Sequence, residues 1–465
     1  MILRYCKLIP KGTLRLPVQC LRIRHASTST AAQMSSPENP EPSAIPDEAS
    51  DNQHPISRKL IDTYAAFMVP TYARPKMVLS RGAGLKVYDV DGNEYIDFTA
   101  GIAVTALGHS DKGVAEVVNR QASQLIHTSN LYFTREIGQL SKSLVEKTKA
   151  SGGMKDVARA FLSNSGTEAN EAALKFAKKY GSVYGNGRKT EIVSFINSFH
   201  GRTMGALSAT PNPKYQSPFL PLVPGFKYAP FNSTEGLEKI ITQDTCGVIV
   251  EPIQGEGGIW EAHSDFLSSL RQRCDEVNAL LIYDEIQCGM GRTGDLWAHC
   301  KYSPKLHPDI LTTAKALGNG LPIGATLITE RVSEAIKIGD HGTTFGGNSL
   351  ACSVASYVLD EITKKELRSK VSERSSMLVS LVEQMMKVYP DYVLGIRGRG
   401  LLLGIQLAED PGPLMNEARR RGLLVISAGK NTLRLVPALK GDDVDFKAGV
   451  QRLRESFVAV AETMR

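Results

Sequence analysis

The chain has 465 residues, 42% of them hydrophobic and 22% charged, with 55 Lys and Arg against 48 Asp and Glu. That length holds two domains or one large domain with a satellite, and no uninterrupted apolar run approaches the roughly 18 residues of a membrane-spanning helix. Six of the bases fall in the leader, leaving 49 bases against 48 acids in the body, so the net charge of +7 gives no argument for a nucleic-acid partner.

Those six are Arg4, Lys7, Lys11, Arg15, Arg22 and Arg24, and the first acid is Glu38. A basic, hydroxyl-rich, acid-free start has the composition of a mitochondrial transit peptide, assigned to residues 1–35, with a disordered, nucleic-acid-binding basic tail as the plainer alternative. Residues 36–57 are rich in Pro, Ser, Glu, Asp and Asn and read as a disordered linker, with folded structure expected from near Arg58. Cys6, Cys20, Cys246, Cys274, Cys288, Cys300 and Cys352 form no CxxC pair, and the nine histidines form no HExxH. Neither a disulfide framework nor a metal site is indicated.

From Gly84 to Phe98 the residues alternate as strand, turn, strand, with Gly92 at the turn. Val114 to Leu125 and Arg135 to Lys149 have helical spacing. From about 160 to 330, short apolar runs alternate with helical segments. The runs are Ala160–Leu162, Ile192–Ile196, Gly247–Val250, Leu280–Tyr283 and Ala325–Ile328. Between two of them, Phe266, Leu267, Leu270 and Cys274 share one helical face. The pattern predicts an α/β fold with a mostly parallel sheet covered on both faces. Beyond 350, helical segments (Cys352–Thr363, Leu367–Val388) precede Gly395–Ile405, Leu414–Arg421, Leu423–Ile426 and Leu433–Val436, a compact α+β module.

Ligands of such sheets gather at the carboxyl ends of the strands. After Leu162 comes Ser163-Asn164-Ser165-Gly166-Thr167-Glu168, opening a helix at Ala172–Tyr180. Free N–H groups and the positive helix end suit a phosphate there, although Ser165 or Thr167 could equally be an ordinary N-cap. After Ile196 come Phe199, able to stack on a flat ring, and Arg202, able to grip a carboxylate. Singly, each reads as a core aromatic and a surface charge. Glu251 and Asp284 close two further strands. Gly289–Gly294 is formally GxGxxG, but no apolar helix and acid-tipped strand follow, which excludes a dinucleotide site.

The remaining strand-like run, Asp309–Thr313, ends at Lys315, just before Gly318-Asn319-Gly320. Burial penalises an ammonium, so a lysine there becomes a usable nucleophile. A lysine, a strand-end carboxylate, a phosphate-binding helix start and an aromatic suit pyridoxal 5′-phosphate (PLP). Lys315 would form the Schiff base, and Asp284 would hold the pyridine nitrogen protonated.

Several motifs resemble the class-III, fold-type-I aminotransferases over about 400 residues, from near Tyr64 to the end. They are Ser163–Glu171, Ser198–Arg202, Glu251–Gly258, Asp284–Gln287, Lys315 and Gly342–Asn348. Phe98–Ser110 and His127–Tyr132 are similar to the acetylornithine branch of that class. The chain departs from the family pattern at Asp111-Lys112 and Ser349, none a catalytic position.

The resemblance implies a large PLP-binding domain over 116–345 and a small α+β domain built from both chain ends, 58–115 and 346–465. It implies that Ser165, Gly166 and Thr167 bind the phosphate and that Phe199 and Ile286 cover the ring faces. Asp284 pairs with the ring nitrogen, Gln287 with the phenolic oxygen, and Lys315 moves the proton. Thr344 reaches the phosphate in the other subunit of a homodimer. Substrate contacts fall to Arg202, Glu256, Thr343 and Arg434. Arg202 takes the α-carboxylate of N2-acetylornithine, or the side-chain carboxylate of glutamate while Arg434 takes its α-carboxylate. Glu256 neutralises Arg434 when the dicarboxylate is absent, since an unpaired arginine against aliphatic substrate is costly; a static salt bridge is the plainer alternative. The expected reaction is transamination of N2-acetylornithine with 2-oxoglutarate in the mitochondrial matrix. Other readings are an ornithine, 4-aminobutyrate or succinyldiaminopimelate transaminase, a glutamate-semialdehyde-type aminomutase, and a silent PLP-fold binding protein.

Overall fold

A computed structural model describes residues 54–303 and 305–463. The assigned transit peptide and most of the assigned linker lie outside the described residues. The first helix, Pro55–Tyr64, opens three residues ahead of Arg58. Its start is held by Asp91, whose carboxylate accepts the N–H groups of Ile56 (2.7 Å) and Ser57 (3.0 Å) and the Ser57 hydroxyl (2.6 Å). A proline in the first turn forfeits no helical bond, so Pro55 fits there.

A seven-stranded sheet organises the molecule. Its order is Val157–Ser163, Gly324–Thr329, Ile310–Thr313, Leu280–Asp284, Thr245–Val250, Glu191–Phe195, Phe226–Ala229. Gly324–Thr329 runs antiparallel to both neighbours; the other six are parallel to one another. All six strand-like runs of the sequence are present, Asp309–Thr313 as the strand Ile310–Thr313. Phe226–Ala229 is an addition: it is an edge strand carrying Lys227 and is only half-buried, so it lacks the apolar run of its neighbours.

Residue alternation shows why both faces are covered. Val248, Val250, Leu281 and Tyr283 pack against Phe266, Leu267, Leu270 and Cys274 of helix Ser264–Val277. Ile249, Leu280, Ile282 and Ile310 point the other way, to Ala173, Ala177 and Tyr180 of helix Gly166–Tyr184. Successive side chains of a strand face opposite sides, so continuous apolar strands require two apolar covers. Each large side chain buried this way contributes roughly 1.5–3 kcal/mol. At Gly247 the helix approaches so closely that an added Cβ would lie 2.9 Å from the Ala177 methyl.

Two smaller sheets flank this layer. Lys86–Asp89 and Glu94–Asp97 form the predicted antiparallel pair; Leu79–Ala83 adds an antiparallel edge strand outside the predicted range, and Leu423–Leu424 extends the other edge in parallel. Val393–Arg399, Leu402–Leu407, Thr432–Leu435 and Ile426–Ala428 form an antiparallel sheet that carries Arg434 opposite Gly404. The last helix, Asp443–Thr463, buries Phe446, Leu453 and Phe457. Among the described residues no helix is long and apolar enough to cross a membrane, and the cysteines are unbridged.

Candidate active site

The carboxyl ends of the parallel strands open onto one cavity of about 350 Å³. Its wall includes Ser165, Gly166, Thr167, Phe199, Arg202, Asp284, Ile286, Gln287 and Lys315, nine of the residues singled out from sequence. Each arrives because its strand ends there. The adjacent wall is Val104, which follows a run of left-handed residues, Ala100 to Ala103. Non-glycine residues in that conformation cost about 1–2 kcal/mol each. Asp97 offsets part of this, its Oδ1 accepting the Thr99 and Ala100 N–H groups (2.7 and 3.1 Å) and the Thr99 hydroxyl (2.6 Å).

Asp284 is buried in a polar network. Its Oδ2 accepts from Asn170 Nδ2 (2.7 Å) and His200 Nδ1 (2.8 Å), and its Oδ1 from the Ile286 N–H (3.1 Å). Asn170 is fixed in turn by donating to the His200 carbonyl (2.7 Å) and accepting from the Thr312 hydroxyl (2.8 Å). Glu251 lies close by, accepting the N–H groups of Phe199 (2.9 Å) and Gly255 (3.0 Å). Burial holds its carboxyl above the usual range, opposed by His200 and reinforced by the Asp284 charge.

Lys315 follows strand Ile310–Thr313 with left-handed backbone (φ 44°). Enclosure by the cavity wall, and then the positive charge of Arg434, push its amine down to about 8; Glu256, Asp284 and Glu251 oppose the shift. A depressed lysine facing a cavity is the electrostatic signature of a catalytic amine.

Ser165 is the N-cap of helix Gly166–Tyr184, its hydroxyl accepting the Glu168 N–H at 3.3 Å. The cap and anion readings coexist, because the first-turn amides of a helix have no partner within it. Thr167 Oγ1 meets Thr203 Oγ1 at 2.9 Å and accepts the Arg202 N–H at 3.2 Å. Gly166 is required by Ile286: an added Cβ would lie 2.9 Å from its side chain.

Arg434 and Glu256 stand beside the cavity and form an ion pair of 3.1 Å. Arg434 is 3% exposed and also donates to Gln287 Oε1 (3.1 Å) and the Ser427 carbonyl (3.2 Å). Thr343 is tied to the cavity wall through Asn164 Nδ2 (3.1 Å). Thr344 is exposed and does not line the cavity. His200, Asn170 and Thr312 complete the network under Asp284, but they are scattered through the chain, and no sequence spacing joins them.

The residues fit PLP. Asp284 Oδ1 has accepting capacity left after its one bond, Lys315 faces the same space, and the first turn of helix Gly166–Tyr184, with amides that have no partner within the helix, lies across it. Phe199 and Ile286 supply apolar walls.

The chain matches the model of the class-III aminotransferases over residues 68–457. It is 52% identical to the mitochondrial acetylornithine aminotransferase of Neurospora crassa over 89% of this chain and 90% of that one. It is 54% identical to that of Yarrowia lipolytica over 86% and 95%. Among solved structures it is similar to an ornithine aminotransferase from Toxoplasma gondii (TM-score 0.82, 30% identity, 88% of this chain and 96% of that one). It is also similar to an N-acetylornithine aminotransferase from Stenotrophomonas maltophilia (TM-score 0.73, 36% identity, 87% and 100%). The strand-end lysine and carboxylate thus sit in a scaffold shared along nearly its whole length, and the chain belongs to the class-III, PLP-dependent aminotransferases.

Proposed function

We propose that this enzyme transfers the δ-amino group of N2-acetylornithine to 2-oxoglutarate, giving N-acetylglutamate 5-semialdehyde and glutamate, in the mitochondrial matrix and in the service of arginine biosynthesis. The relatives at about half identity carry that activity and that compartment in their names. Ornithine aminotransferases share the fold, but a shared scaffold does not choose a substrate.

Bound PLP supplies an electron sink for the carbanion left when a proton leaves the substrate carbon. Ser165, Gly166 and Thr167 hold its phosphate, Phe199 and Ile286 its ring faces, Gln287 its phenolic oxygen and Asp284 its ring nitrogen. The network of Asn170, His200 and Thr312 keeps the Asp284 carboxylate aimed. The Lys315 amine, depressed to about 8, has a free-base fraction at neutral pH with which to take the substrate proton and return it.

The observation that carries the substrate reading is the Glu256–Arg434 pair, at 3.1 Å beside the cavity. With Arg434 neutralised, a monocarboxylate amine binds through Arg202 and lays its aliphatic part along an uncharged wall. When glutamate or 2-oxoglutarate binds, Glu256 withdraws and Arg434 takes the α-carboxylate. Thr343 completes the substrate contacts. Arg434→Ala should therefore raise KM for glutamate by about 10²-fold, the loss of a charge-assisted pair, and raise that for acetylornithine by less than fivefold, read in separate half-reactions. Equal losses would refute the division of labour, and a preference for ornithine over acetylornithine as donor would move the assignment to that branch.

The enzyme acts as a homodimer. Leu131, Tyr132, Phe133 and Phe345 are exposed large apolar side chains, three of them consecutive, and Phe345 adjoins Thr344. Apolar surface of that kind supports association with a second copy, which carries Thr344 toward the partner's phosphate. Phe133→Glu should give monomers with weakened PLP retention in analytical ultracentrifugation; a dimer that persists at nanomolar concentration would contradict this interface.

A further inference from the structure

Tyr215 touches three residues of the site without lining the cavity itself. It sits on the short helix Pro213–Gln216, whose start is capped by Asn212 Oδ1 accepting the Lys214 N–H at 3.0 Å. The neighbouring Gln216 pins that helix by donating to the Leu207 carbonyl (3.0 Å) and the Tyr228 hydroxyl (3.2 Å). The Arg202 guanidinium lies over the Tyr215 ring, 3.9 Å from its centroid. The ring meets Phe199 edge to face, with centroids 6.0 Å apart and planes at 83°. Its hydroxyl points at Glu256 Oε1 at 3.5 Å, the long limit of a hydrogen bond, while Glu256 Oε2 holds Arg434. One half-buried side chain therefore bridges the arginine on one side of the site and the arginine–glutamate pair on the other.

A tyrosine that merely grazes its neighbours would not be expected to meet three separate recognition groups with three different parts. The ring face suits a guanidinium, the edge suits an aromatic, and the hydroxyl suits a carboxylate. Among the described residues the Arg202 guanidinium has no carboxylate partner, so the ring of Tyr215 and, at 5.6 Å, that of Phe199 are what orient it.

We infer that Tyr215 is a positioning residue that sets the balance between monocarboxylate and dicarboxylate substrates, its ring fixing Arg202 and its hydroxyl keeping Glu256 on Arg434. This rests on the reading of Arg202, Glu256 and Arg434 as the substrate-binding groups. The hydroxyl favours the paired arrangement of Glu256, so removing it makes withdrawal easier. If the paired arrangement predominates in the free enzyme, ligands that need the withdrawn arrangement gain by the whole of that change, and ligands that use the paired one scarcely respond. The ring acts on both classes alike, because both place a carboxylate on Arg202.

The test is a set of variants of the PLP-loaded enzyme, each half-reaction followed separately by absorbance. Tyr215→Phe keeps the ring and should lower KM for glutamate by about threefold, the scale of one weak hydrogen bond, with KM for acetylornithine unmoved. Tyr215→Leu should raise KM for both by about two- to fivefold, the scale of an exposed cation–π contact. Glu256→Ala should lower KM for glutamate by itself, and adding Tyr215→Phe to it should do nothing further, because the hydroxyl then has no carboxylate to hold. A shift from Tyr215→Phe that is the same with and without Glu256 would overturn the inference. So would no shift from Tyr215→Phe where Glu256→Ala does act, leaving the substrate reading intact. If Glu256→Ala changes nothing, the substrate reading fails and the inference fails with it.

Discussion

Replacing Lys315 by methionine should reduce transamination by about 10⁴-fold, the upper end of what a positioned acid–base group contributes, while the cofactor-free protein becomes more stable. The two effects have one cause. Lys315 is held in an enclosed position where burial, aided by the Arg434 charge, pushes its amine down to about 8, against about 10.4 in an unfolded chain. At pH 7 the folded protein must therefore either keep a poorly solvated ammonium or release its proton, at a cost on the order of 3 kcal/mol. The unfolded state binds more protons between these two values. Stability of the cofactor-free wild type thus rises as pH climbs from about 8 to about 10.4, and the penalty is fully present below that window. Methionine removes the charge and nearly keeps the volume, so the substitution should raise the urea midpoint at pH 7 and flatten the dependence above pH 8. A methionine variant no more stable than wild type at pH 7 would mean that the amine is solvated there.

The second large effect is expected at Asp284. Asp284→Asn should lower kcat by about 10²- to 10³-fold, the scale seen when one preorganised electrostatic partner is removed, with PLP still retained through the phosphate and ring contacts. Asp284→Ala should also destabilise the fold. It leaves one of the two Asn170 Nδ2 hydrogens and the His200 Nδ1 hydrogen buried without an acceptor, at about 1–3 kcal/mol for each unsatisfied donor. The pair separates chemistry from architecture: the asparagine variant tests the charge, and the alanine variant tests the network. Thermal melts and steady-state rates on both variants would check it. An asparagine variant of wild-type rate would remove Asp284 from the catalytic account.

How far the sequence could be read follows from where each interaction lies along the chain. The strands were legible because the sheet is buried on both faces, which turns Gly247–Val250 and Leu280–Tyr283 into unbroken apolar runs. The cavity was legible because ligands gather at strand ends, and Asp284 and Lys315 each follow such a run. Phe226–Ala229 was not, because an edge strand with a lysine and partial exposure breaks the apolar pattern. The closing helix Asp443–Thr463 did carry a signal, in Phe446, Leu453, Phe457 and Val460 at helical spacing. The support for Asp284 was illegible for another reason. Asn170, His200 and Thr312 lie 114, 84 and 28 positions away from it, and only the topology of the sheet brings them together. Tyr215 belongs to the same class, since nothing in Pro213–Gln216 marks it as facing both Arg202 and Glu256.

Chemistry was thus easier to find than selectivity. Lysine and carboxylate positions are fixed by strand ends, whereas the balance between substrates depends on contacts among Arg202, Tyr215, Glu256 and Arg434, carried on four separate segments. The claim on which all of this depends is that Lys315 is the residue joined to PLP. Borohydride reduction of the PLP-loaded enzyme followed by peptide mass spectrometry tests it directly. The pyridoxyl phosphate mass is expected on the peptide containing Lys315 and on no other; the label on a different lysine would contradict that assignment.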